Sequence, residues 1–355
     1  MTEKMCLVSM VRIPGLGPQK IRKVRNETGS YQSAWKAPHQ LWQNVCGAEI
    51  ANNIVKLRTE SEPERILDEA KGYVNEIITE LDDNYPDNLK HIYAAPLVLF
   101  CIGNAKLLGL QAVAMVGSRR ATPYGRRVAR QLGKELAGAG LVIVSGMARG
   151  IDAESHWGCL EAHGMTIGVL GTGPDIVYPK ENRELFNRVS AEGLLLSEFW
   201  PGTPGEPKNF PIRNRLISGL SRGLVVVEAQ EKSGAMITVE YALEQGRDVF
   251  AVPGPITSEY SKGTNFMLKE GARIVTCAND VLEELGVPKQ QNQQNIKTEK
   301  GIQGVLIEYI GFEPVNIDWL INVSGLAHGE IAAELLQLEV DGIISSLPGN
   351  YYVRR

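Results

Sequence analysis

From about residue 106 to 285 the sequence repeats one unit: a short apolar run, a glycine-containing turn, then a helical pattern. The apolar runs are Ala112–Val116, Leu141–Ser145, Thr166–Leu170, Leu194–Glu198, Leu224–Glu228, Asp248–Val252 and Arg273–Thr276. Short, nearly continuous apolar runs are what strands look like when helices cover both faces of a mostly parallel sheet. Helical patterns such as Arg126–Ala139, Ile151–His163 and Met236–Gln245 fall between them. The alternation predicts an α/β fold, with a Rossmann-like, doubly wound and mostly parallel sheet over residues 106–285.

The flanks read differently. Residues 1–105 are mostly helical in pattern and end in a short apolar strand, Leu97–Cys101. Ile13-Pro14-Gly15-Leu16-Gly17 stands between two helical patterns, as in a helix-hairpin-helix, although a plain helix connector explains it as well. Residues 286–300 are polar and low in complexity, which predicts a linker. In residues 301–355, helical patterns at Ile302–Tyr309, Ile317–Val323 and Ala327–Val340 precede a hairpin, Ile343–Leu347 and Tyr351–Arg354 around Pro348-Gly349-Asn350. Three helices and a hairpin in that order predict a winged helix. That segment carries seven acidic residues against Arg354 and Arg355, and its last helix, the recognition element, carries Glu330, Glu334 and Glu339 and no lysine or arginine. Duplex binding needs phosphate neutralisation, so protein contact or regulation fits this segment better than DNA reading.

In an open α/β sheet a ligand binds beyond the carboxyl ends of the strands. Those ends carry Gly117-Ser118-Arg119-Arg120, Ser145-Gly146-Met147-Ala148-Arg149-Gly150 and Gly171-Thr172-Gly173. Glycine lets backbone approach an anion, and the following helix starts offer free amides. Three such turns on one edge favour an anionic ligand. A dinucleotide fits poorly: the first turn is not GxGxxG, and the second strand ends in Ser145-Gly146 where a ribose-binding acid would stand. GxxxxGK[ST] is absent too, and no cofactor is expected.

Charge is segregated behind a formal net charge of only -4. From Cys101 to Lys134 there are seven basic residues and no acid, and from Pro207 to Val227 four and none. Arg126, Arg127, Arg130 and Lys134 suit a solvated helix face. Arg119 lies in the glycine turn itself, and Arg213-Asn214-Arg215 follows Phe210-Pro211, so both clusters could reach one ligand edge. Arginines around a glycine nest with an aromatic nearby suit backbone phosphates and base stacking.

Hydrolytic and metal chemistry find little footing. His156 and His163 lack an HxxxH, HxE or Cys partner. Asp152 and Asp175 follow glycine turns, where capping competes with ligand contact. Ser118 has no identifiable base. The five cysteines are scattered without a CxxC pair, which argues against a zinc site or disulfide framework and for a reducing compartment. With no signal-peptide pattern and no run approaching a membrane span, a cytoplasmic protein without a membrane partner is expected.

Taken in order, Gly117-Ser118-Arg119, the segment Ser145–Asp152 with His156, Gly171-Thr172-Gly173 with Asp175 and Tyr178-Pro179, Ser197-Glu198, Phe210–Arg215, Val227-Glu228-Ala229, Ser233–Thr238 and Phe250–Gly254 resemble the DprA/Smf family. Tyr85-Pro86 and Leu89 extend the match upstream. The resemblance implies a sterile-alpha-motif-like N-terminal domain and a winged helix around the α/β domain. It implies a homodimeric, cytoplasmic, non-catalytic binder of single-stranded DNA, which shields incoming strands in natural transformation and loads the RecA recombinase. Carried over by position, Ser118 and Arg119 contact phosphates and Gly117 allows close approach. Lys180 and Asn182 line the same pocket, and Phe210, Arg213, Asn214 and Arg215 form its other wall. Arg149, at a variable position, either reinforces phosphate binding or lies in solvent. The rival is a phosphoribohydrolase-like enzyme on a related fold, whose PGGxGTxxE motif is incomplete in residues 230–240.

Overall fold

The computed structural model describes residues 1–287, 302–311 and 314–354. Nine strands form one sheet: β1 Glu76–Thr79, β2 Val98–Gly103, β3 Ala112–Val116, β4 Val142–Ser145, β5 Thr166–Val169, β6 Leu194–Ser197, β7 Gly223–Val226, β8 Asp248–Ala251 and β9 Arg273–Ile274. Their order is β1-β2-β6-β5-β4-β3-β7-β8-β9. From β6 to β9 all neighbours are parallel; β2 joins β6, and β1 joins β2, antiparallel.

Alternation within each strand fills two layers, because successive side chains point to opposite faces. Ala112, Ala114, Val142, Val144, Leu224 and Val226 pack on one side with Leu216 and Ile217 of the helix Asn209–Gly219 and Val239 of the helix Gly234–Glu244. Val113, Met115, Ile143 and Val225 pack on the other with Leu132 and Leu136 of the helix Pro123–Gly138 and Ile151 of the helix Ile151–Glu161. Both faces being covered there, β3 to β7 are buried along their whole length, as the sequence implied. The chain adds strands in one direction from β3 to β6, then resumes with β7 on the other side of β3. The switch point of the sheet therefore lies between β3 and β7, and the turns that follow these strands meet there.

Six helices, from Glu3–Val11 to Pro63–Lys71, precede β1. Their core, with Leu7, Met10, Ile21, Tyr31, Trp42 and Ile54, continues into Ile77 of β1 and Val98 and Phe100 of β2. The expected strand at 97–101 is thus β2, sharing its sheet with β3–β9. β1 was not anticipated. Ile13–Gly17 connects two helices with Ile13 and Leu16 buried and Gly15 at φ 76°.

The chain divides into two compact units, Met1–Lys289 and Gln290–Arg355. Most of the expected linker, 288–300, lies outside the described residues. The second unit has helices Ile302–Tyr309, Ile317–Ser324 and His328–Val340 and strands β10 Val315–Asn316, β11 Ile344–Leu347 and β12 Tyr351–Arg354, ordered β10-β12-β11. This is the winged-helix arrangement, with Leu306, Leu320, Ile331, Leu335 and Ile344 at its centre. Among the described residues no helix is long and apolar enough to cross a membrane.

Candidate nucleic-acid interface

The turn after β3 is held by the strand beside it. Ser118 N donates to the Glu228 carbonyl just beyond β7 at 2.8 Å. A Cβ on Gly117 would lie 2.6 Å from Ile151 Cγ1 and 2.8 Å from that carbonyl, so only glycine fits. The Ser118 hydroxyl accepts from Arg120 N at 3.1 Å, and its carbonyl accepts from Ile151 N at 3.2 Å. The Ser118 hydroxyl thus braces the turn. Arg119 projects from it, exposed, with its guanidinium carbon 5.4 Å from the Phe210 ring centroid. Phe210 in turn lies 5.1 Å from Tyr178, tilted by 32°. Cation, phenyl and phenol form one stack.

Two cavities, of about 500 and 600 Å³, share Arg119, Tyr178, Phe210 and Arg213 among their walls. The first also takes in Gly117, Ser118, Asn214, Ser233 and Gly234. The second takes in Gly146, Arg149, Gly171, Thr172 and Lys180. The edge thus offers an exposed cation, aromatic faces and polar groups side by side, the pairing needed for a phosphate next to a base.

The helix Asn209–Gly219 distributes its polar residues unevenly. Arg213 is 3% exposed, packed so closely on Gly146 that a Cβ there would collide with its guanidinium, and it donates to the Val169 carbonyl. Burial pushes its pKa down to about 10; Asp152 opposes that shift, and Arg119 adds to it. Asp152, itself buried, is pushed up by burial, with Arg213 the main opposing influence. Asn214 is half-buried, lines the first cavity and donates to the Gly234 carbonyl at 3.4 Å.

Arg215 corrects the expectation drawn from sequence. It does not share a wall with Arg213, because residues two apart on a helix point roughly 200° apart. Its guanidinium is buried, bonded to both Glu198 carboxylate oxygens at 2.6 Å and to the Ala94 carbonyl at 2.8 Å. Asn182 is a second correction. Its amide donates to the Met147 and Ala148 carbonyls at 2.9 and 3.2 Å, so it braces the turn after β4 and is not among the residues lining either cavity. That bracing has a use: Met147 is buried at φ 57°, a left-handed conformation costly for a side chain of its kind.

Lys180 and Arg149 both line the second cavity, exposed; Arg149 is paired with Glu181. The basic helix face behaves as a solvated one. Arg126 contacts Glu154 at 3.5 Å, and Arg130 contacts Glu161 at 2.8 Å and Glu154 at 3.2 Å. His156 lies in the interior, its Nδ1 2.6 Å from Thr166 Oγ1, and burial pushes its pKa down to about 3. Asp175 stabilises a loop, accepting from Gly202 N at 2.7 Å. Among the described residues no cluster of three His, Cys, Asp or Glu could hold a metal ion.

Three residues of the site escaped the sequence reading as functional groups: Tyr178, Asp152 as Arg213's counter-charge, and Glu228. The signal for Tyr178 was its place ahead of Pro179-Lys180 on a strand-end loop.

The family model of DNA recombination-mediator protein A matches residues 76–286, which contain every residue of this edge, and the DprA winged helix domain model matches residues 290–350. The chain belongs to the DprA/Smf family. Protein Smf of Synechocystis is 34% identical over 97% of this chain and 97% of its own length. DNA processing protein DprA of Streptococcus pneumoniae is 47% identical over 58% of this chain and 72% of its own. The X-ray structure of DprA from Streptococcus pneumoniae superposes with a TM-score of 0.71 at 37% identity, covering 80% of this chain and 98% of that one. A structure of DNA processing protein A from Helicobacter pylori, described as giving insight into that protein's single-stranded DNA binding mode, has a TM-score of 0.54 at 31% identity and covers 59% and 95%. The family membership accounts for both the α/β sheet and the winged helix.

Proposed function

We infer that this protein binds single-stranded DNA along the strand-end edge, protects it, and delivers it to the RecA recombinase as a homodimer in the cytoplasm. The observation that carries the reading is the stack of Arg119 on Phe210 on Tyr178 beside the Gly117-Ser118 turn. An exposed arginine fixed over an aromatic ring can hold a phosphate while the ring's neighbourhood receives a base, whatever its identity. Ser118, Arg119, Lys180, Phe210 and Asn214 are the contacts in this reading; Gly117, Asn182 and Arg213 shape the edge, and Arg149 adds charge to it. The single-stranded DNA binding described for the Helicobacter pylori relative supports it. The site is read as a binding edge without bond-breaking chemistry, since the Gln230–Glu240 segment lacks the complete phosphate loop of the hydrolases on related folds.

The test is oligonucleotide affinity by fluorescence anisotropy across a salt series. Arg119→Ala should weaken single-stranded binding roughly tenfold and lower the salt slope by about 0.7–1, with the duplex bound weakly by both proteins. Equal affinity and equal slope in wild type and variant would remove this edge from consideration.

A further inference from the structure

In a fold of this kind the switch point and the start of the first helix after it form the natural seat for a nucleotide's phosphate. Here that seat has an occupant. Glu228, just past β7, is 3% exposed and turns its side chain toward the start of the helix Pro123–Gly138. One carboxylate oxygen accepts from Thr122 N at 2.9 Å, the other from Thr122 Oγ1 at 2.5 Å, and Thr122 Oγ1 in turn caps Gly125 N at 3.1 Å. Gly125 has no side chain because any Cβ would collide with this carboxylate. The same residue's carbonyl receives Ser118 N at 2.8 Å. A single residue therefore grips the turn at both ends, backbone to Ser118 and side chain to Thr122, with Arg119 carried between them.

We propose that the Glu228 carboxylate is a built-in anion that fills the phosphate seat at the switch point and fixes the Gly117–Thr122 turn, so that a ligand phosphate is met farther out, at Ser118 and Arg119. A buried carboxylate at a helix start is stabilised by charge-assisted hydrogen bonds and by the helix dipole. It also repels a second anion from the same place. The arrangement gives a physical reason for a nucleotide-type sheet without dinucleotide determinants: the seat is closed from inside, and the accessible cation stands on its rim. Glu228 acts through the turn, so it is a positioning residue.

The inference deepens the DNA-binding reading and rests on it for the affinity measurement alone; the anion measurement is independent of it. Glu228→Ala vacates the seat, and formate is a carboxylate small enough to enter. In sodium chloride the variant's thermal midpoint should fall by roughly 6–10 °C, and its oligonucleotide affinity at least about tenfold. Sodium formate at the same ionic strength should return much of both losses, while wild type responds equally to the two salts. Glu228→Gln keeps the shape without the charge and should lose midpoint and affinity in the same direction. The proposal is overturned if formate restores no more than chloride does, or if Glu228→Gln matches wild type. Should Glu228→Ala fail to fold, Glu228→Gln decides the matter alone. Should wild type bind no oligonucleotide, the DNA-binding reading falls while the formate-dependent midpoint still decides the role of Glu228.

Discussion

In the acid-free stretch from 101 to 134, Arg119 stays exposed on an aromatic ring, while Arg126 and Arg130 meet carboxylates from the helix Ile151–Glu161. In the acid-free stretch from 207 to 227, Arg213 and Arg215 are both buried, one against the turn after β4 and the other against Glu198. The two stretches are alike in being basic and free of acids, and they have different uses. A basic run tells where charge enters the chain, and the fold decides whether that charge meets solvent, an acid or a carbonyl. Of these five arginines, Arg119 is the one left exposed on a cavity wall, and the proposed function gives it the ligand; Arg213 and Arg215 are buried in contacts that hold the wall in shape.

This contrast can be broken most forcefully at Arg215. Arg215→Ala leaves the Glu198 carboxylate buried without its cation and should cost about 3–5 kcal/mol of unfolding free energy, measured by urea denaturation. If stability held and oligonucleotide affinity fell instead, Arg215 would belong with Arg119. Next comes His156, whose depressed pKa owes most to burial and then to the charge of Arg213. A histidine held neutral in the fold contributes stability above its ordinary pKa of 6.5 and loses it as pH falls toward 3. Denaturation at a series of pH values should therefore show stability dropping by about 1.4 kcal/mol per pH unit below 6.5 on this account. His156→Asn should flatten that limb; an unchanged limb would show that other groups set it. The smallest effect belongs to the helix face. Arg126→Gln with Arg130→Gln should shift stability by less than about 1 kcal/mol, since surface pairs contribute little. Oligonucleotide affinity should change by no more than about twofold. A loss as large as that of Arg119→Ala would extend the interface onto that helix.

The strands of the sheet were legible because burial on both faces leaves an unbroken apolar run, and the helices of the winged unit because their apolar residues recur at helical spacing. β1 was not, since Glu76–Thr79 offers only two large apolar residues, and its place depends on pairing with β2. The exposed position of Arg119 at the strand-end edge could be read from its turn alone. Arg215 could not: its direction follows from the phase of a helix and from a glutamate 17 residues away that burial brings alongside. Asn182 had the right composition for a ligand contact, but two backbone carbonyls of a strained turn claim its amide. Glu228 was visible only as part of a motif, because its role depends on two parallel strands that are neighbours in space and more than 100 residues apart in sequence.

The strand β2 lies against the helical core on one side and hydrogen-bonds to β1 and β6 as part of the sheet. Phe100 packs edge-on against Trp200, whose ring lies under Arg12 of the helical block at 5.3 Å, and Arg215 holds the carbonyl of Ala94 just upstream of β2. The helices before β1 are therefore welded to the sheet rather than hinged on it. A long polymer held at the strand-end edge exerts tension as its free ends move. If the edge binds DNA as proposed above, that load would pass laterally through ladders of backbone bonds into the helical block, and the whole of the first unit would anchor the grip.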